Sequence, residues 1–220
     1  MLILLPSMTG YMAWEARAVD VTVLTIDGAP RGVVYITDPH VRASNTDHVQ
    51  EVIREVNRLN PSLVLIGGDF VTGDESEFTS QAIWRSLNAP VYAVLGNHDY
   101  RVGTDSRTGL ARLLAVRTSA DVTAAGYDVS ALNDGSPDTA FADELATTLE
   151  ENGVHVLRND YARVFAGGEE IVIVGVDDGW AGMADPPNVP ATDTFTVYLI
   201  HEPSCRADWD ADLILAGHTH

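Results

Sequence analysis

The sequence predicts an α/β domain in which two packed mixed β-sheets are flanked by helices. Three observations lead there. Strand-like apolar runs alternate with helix-like patterns through the first half of the chain, and the second half strings such runs together. Polar residues of metal-ligand type stand just past the ends of several runs. At 220 residues and 45% hydrophobic, the chain is long enough for one sizeable buried core.

In order, VTVLTI (21–26) and GVVYIT (32–37) flank DGAPRG, whose Gly and Pro suit a hairpin turn between two strands. Val49, Val52, Ile53, Val56 and Leu59 fall at helical spacing, and Pro61 closes that helix. SLVLIG is the next strand, Phe78 to Leu87 a weaker helix, and VYAVLG (91–96) a further strand. A long polar stretch over 101–138 follows. Phe141, Leu145 and Leu149 then share one helical face, which ends at Gly153. VHVLRN, YARVFA and EIVIVGV read as a meander, 178–194 as a Gly- and Pro-rich loop, and TVYLI and DLILAG as the last strands. No repeat or low-complexity tract interrupts this order.

The charge is lopsided: 32 acidic residues face 13 basic ones, every basic residue is arginine, and the net charge is −19. Such a field repels a nucleic-acid backbone and favours solubility and cation binding. A salt-rich cytoplasm explains the acidic excess together with the missing lysine, whereas arginine bias from a GC-rich genome explains only the second. One cysteine, Cys205, excludes an intramolecular disulfide framework and any multi-cysteine zinc site. The start, MLILLPSMTGYMAW, is apolar, but it lacks a positive n-region and a twin arginine and is broken by Pro and Gly. It fits the end of a membrane anchor, a poorly cleaved signal, or an extra helix on the domain. We divide the chain into this segment (1–19) and a catalytic domain (20–220), with a cytoplasmic or membrane-associated location.

YITDPH places Asp38 and His40 just past a strand, LIGGDF places Asp69, and VLGNHDY places Asn97, His98 and Asp99. YLIHEP does the same for His201, and LAGHTH for His218 and His220. Ligands of open α/β sheets gather outside the carboxyl ends of strands, so five segments are expected to deliver ligand-type side chains to one place.

This ordered set, D-x-H, GGD, GNHD, H-E-P and GHTH, resembles the calcineurin-like metallophosphoesterase family from about Val21 to His220, with VGVDDGW similar to the family's inner strand and loop. It is most similar to the bacterial and archaeal phosphodiesterase-like branch, whose members often carry an N-terminal anchor or signal. The resemblance implies an αββα sandwich and a centre of two divalent ions. It assigns Asp69 as the bridging ligand, Asp38, His40 and His220 to one ion, and Asn97, His201 and His218 to the other. Mixed imidazole and carboxylate donors suit Mn, Fe or Zn better than Ca or Mg. Two ions about 3.5–4 Å apart generate a hydroxide nucleophile at neutral pH and neutralise the phosphoryl oxygens. His98 takes the family role of protonating the leaving group or stabilising the transition state, Asp99 that of orienting its imidazole or capping a helix, and Arg101 that of meeting a substrate phosphate or lying on the surface. Asp177, Asp178 and Trp180 line the site or shape a turn, the turn being favoured for Asp177. His48 and His155 read as structural.

Family members usually continue past GHTH into further strands, so the C-terminal part of the sheet is expected to be missing here and the domain truncated. An open sheet edge would then invite a dimer, and the N-terminal segment leaves room for peripheral membrane association. Two functional readings follow: a hydrolase of small-molecule or lipid phosphate esters, phosphodiester or phosphomonoester, and a non-catalytic metal-binding or scaffolding remnant of the same fold. Retention of all seven ligands favours the hydrolase, and the acidic charge argues against a nuclease.

Overall fold

The structure is a computed structural model that describes residues 18–103 and 136–219. Most of the N-terminal apolar segment, most of the 101–138 stretch and His220 lie outside the described residues. Among the described residues, eight strands form two four-stranded sheets. The first contains β1 (Val33–Ile36), β2 (Leu63–Ile66), β3 (Val91–Ala93) and β4 (Val154–Val156), in that order and all parallel. The second contains β5 (Asp160–Ala166), β6 (Glu169–Gly175), β7 (Thr196–Leu199) and β8 (Leu213–Leu215). There β5 and β6 are antiparallel, while β6, β7 and β8 run parallel.

Period-2 alternation sorts the core into layers. Val64 and Ile66 of β2 join the cluster that packs under the helices, whereas Leu63 and Leu65 face the second sheet with Ile171, Ile173, Val197 and Leu199. The alternate residues Val172, Val174 and Tyr198 enter a third cluster with Val189, Trp209 and Ala211. Both faces of the central strands are thus covered, which is why they read as continuous apolar runs.

Helix α1 (Thr46–Arg58) buries Val49, Ile53 and Val56 and carries Asp47 in its first turn and Arg58 in its last, each matching the helix dipole. Helix α2 (Thr139–Glu151) buries Phe141, Ala142, Leu145 and Leu149, and the Asp138 side chain caps it by accepting from Phe141 N at 3.0 Å.

Four expectations are corrected. Residues 21–26 are in no strand, and Val23 and Leu24 are 83% and 76% exposed: the alternation has no surface to pack on. The weak helix at Phe78–Leu87 is a 3-10 segment, Thr79–Ser86, wound tightly enough to bury Gln81, Ile83 and Trp84. The first sheet is parallel rather than mixed. The meander does not form, because the α2 crossover returns β4 beside β3 and, among the described residues, only β5 and β6 make a hairpin.

Candidate metal centre

The carboxyl ends of β1, β2, β3, β7 and β8 carry the predicted ligands. Asp38 and His40 follow β1, Asp69 follows β2, Asn97 follows β3, His201 follows β7 and His218 follows β8. Asp38, His40, Asp69 and His218 all hold positive φ, at 53°, 39°, 57° and 70°. Non-glycine residues adopt that region rarely, and such strain gathers at functional sites. Two small residues make room. A Cβ on Gly96 would collide with Asp69 Oδ1 and lie 2.8 Å from His201 Cδ2; one on Gly217 would collide with Thr37 Oγ1 and lie 2.9 Å from Asp38 Oδ2.

Two groups of donor atoms result, each drawn within 4.8 Å: Asp38, His40 and Asp69 in one, Asp69, His201 and His218 in the other. Asp69 belongs to both. Its Oδ1 accepts from His98 N at 2.9 Å, and its Oδ2 lies 3.6 Å from His40 Nε2 and 3.3 Å from His201 Nε2. One carboxylate oxygen therefore stands between the two groups.

The imidazoles are oriented from behind. His40 Nδ1 meets Val71 O at 2.8 Å and His201 Nδ1 meets Gly67 O at 2.7 Å. A carbonyl only accepts, so each of those nitrogens carries a proton and each Nε2 is aimed inward, where it offers a lone pair once His201 has given up its second proton. Asn97 donates its Nδ2 to Val102 O at 2.7 Å, which points Oδ1 inward, 3.2 Å from His201 Nε2 and 2.9 Å from His218 Nδ1. His218 Nδ1 also lies 3.3 Å from His201 Nε2. Lone pairs converging from nitrogen and oxygen, with ring protons spent on outer acceptors, are what a first-row divalent cation takes, so the donor set fits metal ions.

Burial pushes the His201 pKa down, but the adjacent Asp69 carboxylate outweighs it and the net is a rise to about 10. For Asp69, burial pushes up and His201 pulls harder, leaving a pKa of about 2. Without a cation the two form a buried ion pair, which an arriving cation must replace. His218 is lowered, chiefly by burial.

Asp99 is placed differently from the expectation that it orients His98. Its carboxylate is fully buried and accepts from the backbone N–H groups of Asp69 and Gly96, both at 2.9 Å, and of Val71 at 3.2 Å. It clamps the Asp69 loop. Burial and the Asp69 charge raise its pKa while the N–H donors oppose that rise. The His98 ring meets Thr72 O at 2.8 Å through Nδ1 and stands edge-on to His40, with centroids 4.9 Å apart. Arg101 donates to Gly73 O, Glu75 O and the Asp138 carboxylate at 2.8–3.0 Å and covers the Phe141 ring. Asp177 is buried, accepting from Tyr100 Oη at 2.6 Å and from Arg158 Nε at 3.0 Å. His155 sits by Tyr92 and Glu150, away from the centre.

Thr37 and Glu202 gain importance only in the structure, and Asp178 gains a defined place there. Thr37 donates its hydroxyl to Asp38 Oδ2 at 2.7 Å. Asp178 is completely buried, its pKa raised to about 8 mainly by burial, and its Oδ2 accepts from Ala181 N at 2.5 Å. Glu202 is 3% exposed, with Oε2 lying 3.1 Å from His218 Nε2. An acid directly after a ligand histidine and before a proline is the only sequence signal for Glu202.

Two β-sheets whose strand ends converge on a shared aspartate and several imidazoles define a metallophosphoesterase-type centre, and comparison agrees. The calcineurin-like phosphoesterase family model matches residues 32–220, so the chain belongs to that family. It is similar to phosphodiesterase YaeI of Escherichia coli (25% identical, covering 88% of this chain and 62% of the relative). It is also similar to UDP-2,3-diacylglucosamine pyrophosphatase LpxG of Chlamydia trachomatis (27%, 86% and 63%) and to the uncharacterized metallophosphoesterase YkuE of Bacillus subtilis (26%, 96% and 68%). The chain spans a little over three-fifths of the length of the first two. Among the described residues, no helix is long and apolar enough to cross a membrane.

Proposed function

We propose that this protein is a dinuclear metal-dependent hydrolase of phosphate esters. The observation that carries the proposal is the pair of donor groups sharing Asp69. Asp38, His40 and Asp69 would hold one ion, with His220 proposed as a further ligand; Asp69, Asn97, His201 and His218 would hold the other. Bound there, two divalent ions of the Mn, Fe or Zn kind would supply a nucleophile at neutral pH and neutralise charge on the phosphoryl oxygens.

The chain's own residues supply the rest. Asp99 fixes the Asp69 loop through three backbone N–H groups, so the shared carboxylate is preorganised. His98 holds Nδ1 against Thr72 O and leaves Nε2 for a proton to be given to the leaving oxygen. Arg101 serves better as a tether between the 73–75 loop and the start of α2 than as a phosphate ligand, since its donors already have partners. Every described member of the ligand set is a ligating residue, which favours an enzyme over a scaffolding remnant.

For substrate we propose a phosphodiester or phosphomonoester of a small molecule or lipid head group. The relatives named phosphodiesterase and UDP-2,3-diacylglucosamine pyrophosphatase support that class, and the net charge of −19 opposes nucleic acid. Chromogenic phosphodiester and phosphomonoester substrates, assayed with added Mn and again after chelation, test the reading. Turnover of at least one substrate that disappears with the metal is expected; no turnover by a protein loaded with two ions would overturn it.

A further inference from the structure

The geometry points to Glu202 as the positioning residue that makes His218 a metal ligand through Nδ1, by taking the proton of the opposite ring nitrogen. The inference rests on the dinuclear reading above.

His218 faces two acceptors. Asn97 Oδ1 is 2.9 Å from Nδ1, on the side of the centre, and Glu202 Oε2 is 3.1 Å from Nε2, on the side away from it. The neutral ring has one proton for two positions, and only the Nε2–H form leaves a lone pair on Nδ1 for a cation. His201 Nε2 also lies 3.3 Å from Nδ1, but its proton is held by Asp69 Oδ2, so Glu202 decides between them. Its Oε1 is anchored by Ser204, accepting from the backbone N at 2.9 Å and from the hydroxyl at 2.7 Å. Its Oε2 is buried and has no hydrogen-bond partner, since its contact with His218 is at ion-pair distance without hydrogen-bond alignment. A small turn of the ring aligns an Nε2–H with this oxygen 3.1 Å away, and a buried carboxylate gains more from that N–H than the amide oxygen of Asn97 does, because charge-assisted hydrogen bonds are the stronger ones. The ring proton therefore goes to Glu202 and Nδ1 is left open. His40 and His201 are turned by backbone carbonyls behind them; behind His218 stands a side chain, so its state can be changed by substitution.

Glu202→Gln is the informative variant. Ser204 N can only donate, so the amide oxygen stays with Ser204 and the amide NH2 turns toward His218 Nε2. A donor there drives the ring proton to Nδ1 and closes the lone pair the cation needs. Glu202→Ala merely removes the bias. Ring nitrogen NMR of the metal-free chain should show His218 as the Nε2–H form in the natural protein, the Nδ1–H form in Glu202→Gln and a mixture in Glu202→Ala. Calorimetric titration with Mn should show the ion of the Asp69, His201 and His218 group bound about 10–100-fold more weakly in Glu202→Gln, with a smaller loss in Glu202→Ala. A role in packing alone would reverse that order, because Gln fills the space and Ala does not.

An Nδ1–H form in the natural protein overturns the inference, and this readout requires neither a variant that folds nor a bound ion. Unchanged affinity in Glu202→Gln overturns it as well. Failure of the natural protein to bind a second ion would instead defeat the dinuclear reading and leave the tautomer result standing by itself.

Discussion

The two halves of the centre are built in different ways. Asp38 and His40 come from one loop, and Asn45 at the start of α1 holds that loop by donating to His40 O at 3.0 Å. His201 and His218 come from the other sheet and reach Asp69 and Asn97 only across the gap between the sheets. The bond from His201 Nδ1 to Gly67 O joins residues 134 positions apart. The described ligands of the first half come from two neighbouring strands of one sheet, and the second half exists only while the two sheets keep their packing. The second should therefore be the first to fail when the core is loosened.

The largest effect that would sharpen this contrast is expected from Gly96→Ala. The added Cβ meets Asp69 Oδ1 and His201 Cδ2, so activity should fall to background and the His201 half should lose its ion. Near-natural turnover of a folded Gly96→Ala protein would break the account of how the shared aspartate is seated. His98→Ala comes next, with turnover slowed about 10²–10⁴-fold and both ions retained. Loss of an ion in that variant would make His98 a ligand and redraw the division between the halves.

Acidity separates the halves as well. His201 holds a proton up to about pH 10 in the ion-free protein, and a cation must displace it. Affinity of the second half should then fall about tenfold for each unit of pH below 10, with one proton released per ion bound. Calorimetry in buffers of different ionisation enthalpy measures that release. No proton release at pH 7 would contradict the buried ion pair. The smallest effect is expected from Ile173→Val, between the sheets. It should cost about 0.5–1.5 kcal/mol in a denaturant melt and weaken the second half more than the first. Equal weakening of both would remove the distinction.

What is legible in the sequence follows the same line. D-x-H, GGD, GNHD and the GH pair can be read because each follows an apolar run that ends at the edge of a sheet, and strand ends fix where side chains go. Glu202 and Asp99 cannot be assigned in that way. Both are acids beside a histidine of the centre, and their roles depend on which groups distant segments bring to them: the N–H groups of Asp69 and Val71 for Asp99, the His218 ring for Glu202. VTVLTI shows the opposite failure, since alternation without a neighbouring surface makes no strand. VHVLRN misleads because adjacency in sequence suggests pairing with YARVFA. Leu157 N instead donates to Ala93 O at 2.8 Å, keeping the chain beside β3, and the next residues carry it to the other sheet. Parallel pairing of β3 with β4 requires a crossover connection, and α2 lies within it.

The central claim is that one carboxylate joins two ion sites, and metal counting tests it most directly. The natural chain and Asp69→Ala would each be loaded with excess Mn, passed through a desalting column and analysed for metal per chain by mass spectrometry. Two ions per natural chain are expected, and at most one weakly held ion in Asp69→Ala, because no other described carboxylate enters both donor groups. A natural chain that retains a single ion, or an Asp69→Ala chain that retains two, would contradict it.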